Sequence, residues 1–228
     1  MSSAKLKMVN IFNSTITTTI FIKMEGLIEL FCDWYNVTQP QLRRVSALNN
    51  DTFEDLWVNK WFAKKEKQVY MDKYLRKYES LFDIDYDTFI CDVQPEYALI
   101  INISFMILWD QASRNIYRNT KKAYETDAKA RIIVESIMKH WDRLPIAIKI
   151  SCVLVYIHSE NIDDLLITTR LLNEISKSLS LLPSIQISLL GIAKNHSDRM
   201  KYFGRIPERN KFLGRESTEA EIAYMSIL

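Results

Sequence analysis

The sequence predicts an all-α protein, a single stack of antiparallel helical hairpins. Three observations carry that prediction. Only 4 glycines and 5 prolines punctuate 228 residues, which favours long helices over many tight hairpins. Apolar residues recur at helical spacing through most of the chain. Prolines and polar clusters separate these runs, and no strong set of mutually pairing strands stands out. The hydrophobic share of 48% and aromatic share of 11% are those of a globular chain that buries a core.

Residues 1–24, MSSAKLKMVNIFNSTITTTIFIKM, hold no acidic residue and are frequent in Ser and Thr. Arginine is missing, and Asn, Ser and Thr interrupt the apolar run, against a transit peptide, a signal segment or a membrane span. The segment reads as a loosely attached or strand-like extension outside a single all-α domain at 25–228. In EGLIELFCDWYNV, Leu27, Ile28, Phe31 and Trp34 or Tyr35 share one helical face. After the polar LNNDT comes a helical stretch through FDID. Here Trp57 and Trp61 stand at i, i+4, and Tyr70, Tyr74, Leu75 and Tyr78 continue an aromatic core stripe.

Pro95-Glu96 opens a helix that is almost wholly apolar to Trp109 and delivers Asp110 at its end. YETDAKARIIVESIMKHW fits the next helix. Pro145 opens IAIKISCVLVYI, locally ambiguous between helix and strand because it is rich in β-branched residues. Its helical neighbours favour helix. Two more helices follow, DDLLITTRLLNEISKSL and SIQISLLGIAKNHSDRMKYF. Thr218 to Glu221 is a capping box for a last one.

The formal net charge of +2 does not by itself imply a nucleic-acid partner. Cys32, Cys91 and Cys152 are isolated and odd in number, which reads as buried thiols of a reducing compartment, the cytoplasm. They lack metal-ligand spacing, and the reading includes neither a metal nor a cofactor.

Three polar clusters end the apolar helices. Asp110 and Arg114, at i, i+4, can form a carboxylate–guanidinium pair if the helix continues. Asn115 lies beside them. His158-Ser159-Glu160 offers a proton carrier, a hydroxyl nucleophile and a carboxylate. Ser159 equally suits an N-cap, with Glu160, Asp163 and Asp164 in the first helical turn. The third cluster, KYFGRIPERNKFLGR, places Gly204 and Gly214 each before an arginine, with Pro207 between them. His196 and Arg199 precede it. Glycines at both arginines, with Phe203 and Phe212 interleaved, predict a packed turn whose arginines face inward or line a cleft.

WDQASRNIYRNT with AYETD, then YIHSENIDD, then HSDRMKYFGRIPERNKFLGRESTEAEIAYM resemble, in this order, the family called domain of unknown function 924. The likeness runs from about residue 25 to the C-terminus. Trp109, Ala112-Ser113, Leu165 and Glu208 depart from the residues frequent there, Leu, Phe-Pro, Gln and His. The resemblance implies a tetratricopeptide-like helical fold. It also implies a site, because some fungal members are arginine-containing cyclodipeptide synthases, which draw on arginyl-tRNA and a second amino acid or aminoacyl-tRNA.

On that implication His158, Ser159 and Glu160 are catalytic. Asp110, Arg114, Asn115 and Asp163 contact substrate, with Glu160 a further carboxylate for the arginyl guanidinium. Arg199, Phe203, Arg205, Arg209, Asn210 and Arg215 take the tRNA end or another anion. The alternatives are a helical interaction protein whose clusters are structural locks, and a different small-molecule activity at the same cleft.

Overall fold

The computed structural model describes residues 3–38, 53–62, 64, 66–177 and 183–227. The polar LNNDT stretch and the end of ISKSL lie largely outside them. Among the described residues the secondary structure is helical, without a strand.

Helix α1 runs Ser3–Tyr35 without a break, so most of the segment expected as a loose or strand-like extension is helix continuous with the domain. Its C-terminal part enters the core through Leu27, Leu30, Phe31, Trp34 and Tyr35. The expected helix through residues 53–83 is divided instead. α2 (Phe53–Leu56) passes into a wide π-turn at Trp57–Trp61, then α3 (Glu66–Tyr74) into a 3₁₀ segment at Leu75–Asp83. The aromatic stripe is therefore only partly core: Leu75 and Tyr78 are buried, whereas Tyr70 is 63% exposed and stacks on Tyr74. Tyr74, Tyr78 and Lys77 all meet the Asp33 carboxylate and lock this region to α1.

α4 (Tyr86–Cys91) is capped by Asp85, and α5 (Pro95–Met106) begins at its proline as predicted. A π-segment, Ile107–Ala112, continues α5 into α6 (Ser113–Ile116). α7 (Asp127–Met138), α8 (Ile146–His158), α9 (Asp164–Ile175) and α10 (Pro183–Phe203) follow, and short α11 (Asn210–Leu213) and α12 (Glu219–Met225) end the chain. α5 packs against α1 and α7, and α8 against α7, α9 and α10. Among these pairs, α7 and α8 are joined by residues 139–145 and α8 and α9 by residues 159–163, so neighbours in sequence pack as neighbours in space.

α8 resolves the β-branched ambiguity. It is buried from Ile146 to Ile157 apart from Lys149, because helices flank it on several sides, and Tyr35 of α1 donates to its Ser151 at 2.9 Å. Tertiary burial outweighs the weak strand preference. Of the cysteines expected to be buried, Cys152 is, Cys32 is half-buried and Cys91 is exposed. No helix is long and apolar enough to cross a membrane, among the described residues.

Candidate functional site

The ends of α5 and α8 meet in a buried chain of charges. The π-segment after α5 inserts a wider turn at Asp110, a distortion frequent at functional positions. Asp110 is fully buried, and its carboxylate lies 3.0 Å from Arg114 and 2.9 Å from His158 Nδ1. Gln111 donates to it as well. Burial would raise the Asp110 pKa. Arg114, then His158, outweigh that and hold it at about 2.

An ionised carboxylate only accepts hydrogen bonds, so His158 carries its proton on Nδ1 and leaves Nε2 as the basic nitrogen. Burial keeps the His158 pKa below its usual value despite Asp110. The result is a neutral imidazole oriented by a carboxylate, a suitable base.

From Arg114 the chain continues outward. Its guanidinium forks onto both oxygens of Asp127 at 2.9 and 2.8 Å. Asp127 begins α7, where a carboxylate is favoured. Burial raises its pKa. Arg209 stands 3.7 Å beyond it, over the Tyr124 ring at 4.9 Å. Although only 7% exposed, Arg209 donates no side-chain hydrogen bond among the described residues. Its pKa is lowered by burial and then by Arg114. Arg209, Asp127, Tyr124, Arg131, Ser159 and Glu160 line an open cleft of about 410 Å³.

The C-terminal turn forms one wall, and it is packed, as predicted. Gly204 and Gly214 have φ of 68° and 65°, in the left-handed region glycine enters without strain. The arginine after each glycine turns inward. Arg205 forks onto Glu221 at 2.6 and 2.8 Å, and Glu221 also closes the capping box with Thr218. Arg215 forks onto Glu160 at 2.8 and 3.0 Å, and the Ile206 amide donates to the same carboxylate at 2.7 Å. These contacts hold Glu160 ionised, below its usual pKa, against the effect of burial.

Thus the structure gathers some predicted residues and disperses others. Ser159 and Glu160 reach the cleft; His158, Asp110 and Arg114 lie behind it. Ser159 caps the end of α8 and accepts the Asn161 amide at 3.0 Å, whereas Asp163 is the N-terminal flank of α9. The N-cap expected at Ser159 is therefore displaced, because the chain makes an extra turn before α9. Asp163 is exposed and outside the cleft.

Asn115 bonds its own helix through the Gln111 carbonyl at 2.9 Å. Arg199 is held by Glu208 at 2.8 Å and Tyr224 at 2.9 Å. Asn210 is buried and donates to Ser217 and Glu221. Phe203 packs on Tyr202 and Tyr224. Sequence reasoning gave no site role to Asp127, Tyr124 or Arg131. The first two lie in the quoted AYETD block, which was the available signal.

The model of the family described as "Bacterial protein of unknown function (DUF924)" matches residues 50–227. A solved structure of a protein of unknown function from Agrobacterium tumefaciens is similar in fold, with a TM-score of 0.58 at 24% identity, covering 75% of this chain and 91% of that one. No curated protein matches. The family match spans most of the chain and includes the DQ, HSE, FGR and LGR elements that build the cleft and its support. The chain therefore belongs to the DUF924 family.

Proposed function

We propose that the chain is an enzyme of acyl transfer, acting at the Arg209 cleft on an aminoacyl ester. The observation that carries this reading is the neutral His158, oriented by buried Asp110, behind a cleft whose guanidinium, Arg209, has no hydrogen-bonded partner. In the step, His158, which lies behind the cleft lining, takes a proton from an attacking amine through one bridging water. The nitrogen forms a bond to the ester carbonyl carbon, the ester C–O bond breaks, and the departing hydroxyl oxygen receives the proton. Two such exchanges between two aminoacyl esters release one cyclic dipeptide and two free hydroxyls. Arg209 stabilises negative charge as it develops.

Arginyl-tRNA is the donor that the resemblance to the synthases implies. Asp110 and Glu160 are committed to internal partners, so Glu125, exposed on the cleft rim, is the better carboxylate for an arginyl side chain. The test is mass spectrometry of purified protein with tRNA, arginyl-tRNA synthetase, ATP and the common amino acids. The expected product is a cyclic arginine dipeptide that vanishes with ribonuclease and with His158→Gln. Its absence from a folded preparation overturns the reading.

A second reading, transfer or hydrolysis of a free small substrate, is favoured by the internal pairing of Arg199, Arg205 and Arg215. Those pairs leave little of the turn's charge for a nucleic acid. Product that persists after ribonuclease treatment supports this second reading.

A further inference from the structure

We propose that the cleft takes its ligand by an anionic group, a carboxylate or a phosphate, held by the guanidinium of Arg209 and the hydroxyl of Ser159. Ser159 is then a binding residue rather than a nucleophile. The proposal rests on the reading of the cleft as a ligand site, and is independent of the reaction performed there.

Arg209 supplies the first observation. It lines the cleft although its side chain is only 7% exposed. Its nitrogens donate no hydrogen bond among the described residues, yet none of them is shut away from solvent. Asp127, 3.7 Å away, already accepts two bonds from Arg114. Glu160, the other inner carboxylate of the lining, is held by Arg215 and the Ile206 amide, and Glu125 stands exposed at the rim. A cation so deeply buried without a hydrogen-bonded partner is costly, and an oxyanion entering the cleft supplies that partner.

Ser159 supplies the second, and a short bonded path ties it to Arg209. The Arg209 amide donates to the Ile206 carbonyl at 3.1 Å, and the Ile206 amide donates to Glu160, the neighbour of Ser159, at 2.7 Å. Both residues line the same cleft of about 410 Å³, a volume suited to a small ligand group. The Ser159 oxygen accepts the Asn161 amide at 3.0 Å, and its own proton goes to no group among the described residues. No base is bonded to it, since the His158 Nδ1 is committed to Asp110. A hydroxyl with a proton to donate and no base to activate it suits an anion better than nucleophilic attack. The guanidinium fork has donors enough for this anion and for the charge that develops during transfer.

The probes are inorganic phosphate and acetate, titrated separately into the full chain and followed by calorimetry and by nitrogen NMR of labelled arginine. The Arg209 Nε signal is assigned with Arg209→Lys. At least one probe is expected to bind wild type at millimolar concentration and to shift that signal. Arg209→Gln is expected to weaken binding roughly tenfold or more, and Ser159→Ala roughly threefold to tenfold. The preferred probe distinguishes a phosphate from a carboxylate ligand.

No binding of either probe to wild type at tens of millimolar overturns the proposal. So does binding that leaves the Arg209 signal unmoved. Full-strength binding in folded Ser159→Ala overturns it too, because that is the behaviour of a nucleophile or a plain cap. The NMR arm uses wild type, so a variant that fails to fold does not blunt the test. Probe binding without cyclic dipeptide formation removes the transfer reading and keeps this one. Wild-type dipeptide formation by a protein that binds neither probe does the reverse.

Discussion

His196 and Asp110 show how burial and neighbouring charge set opposite chemistry in one site. Burial, then His158 and nearby arginines, push the His196 pKa to about 3. An unfolded histidine titrates near ~6.5, so the contribution of neutral His196 to stability is complete above that value. It is lost progressively as pH falls toward 3. Nitrogen NMR is expected to find the His196 ring still neutral at a pH of about 5, and His196→Gln to flatten the acid side of the melting-temperature profile.

Asp110 is depressed to about 2, so its contribution is complete above the ordinary carboxylate pKa and is lost as pH falls through 2. Asp110→Asn should cost on the order of 3 kcal/mol at neutral pH in urea unfolding, with the difference from wild type shrinking below pH ~4. An unchanged difference across that range would show that the carboxylate charge is not what stabilises the site.

The C-terminal turn draws its shape from local devices. Gly214 adopts a left-handed φ of 65° after α11, and a Cβ built there would meet no atom within 4 Å. Gly214→Ala is therefore expected to cost about 1 kcal/mol through backbone strain alone, and Gly214→Asn less, read from urea midpoints. Equal costs for both would point to a lost contact instead. The glycine positions, the Thr218–Glu221 box and the Asp110–Arg114 spacing were legible because each depends on residues close in sequence. The break of the helix around Trp57–Trp61 and the π-segment at Asp110 were not. Both sit inside apolar, helix-competent sequence, and packing selects them.

Across the whole molecule, Glu160 and Arg215 join the C-terminal turn to the loop between α8 and α9, 55 positions apart. A double-mutant cycle with Glu160→Gln and Arg215→Gln should give a coupling of about 1–3 kcal/mol in stability. Additive effects would remove this pair as the tie between the two regions. Loss of stability in Glu160→Gln, rather than loss of turnover alone, is the signature of the lock seen here.

By itself the sequence determined the helical class, most helix starts and a packed, inward-turned basic cluster. Periodicity, prolines, glycines and capping residues act over one or two helical turns, so the local chain suffices for them. Only the tertiary structure decided which charges remain available. Arg205, Arg209 and Arg215 look alike in sequence. Glu221 accepts a pair of hydrogen bonds from Arg205 and Glu160 a pair from Arg215, while Asp127 stands too far from Arg209 for a hydrogen bond. Charge availability depends on distances and burial between residues remote in sequence, because a guanidinium is left free or consumed by whatever carboxylate the fold brings within reach.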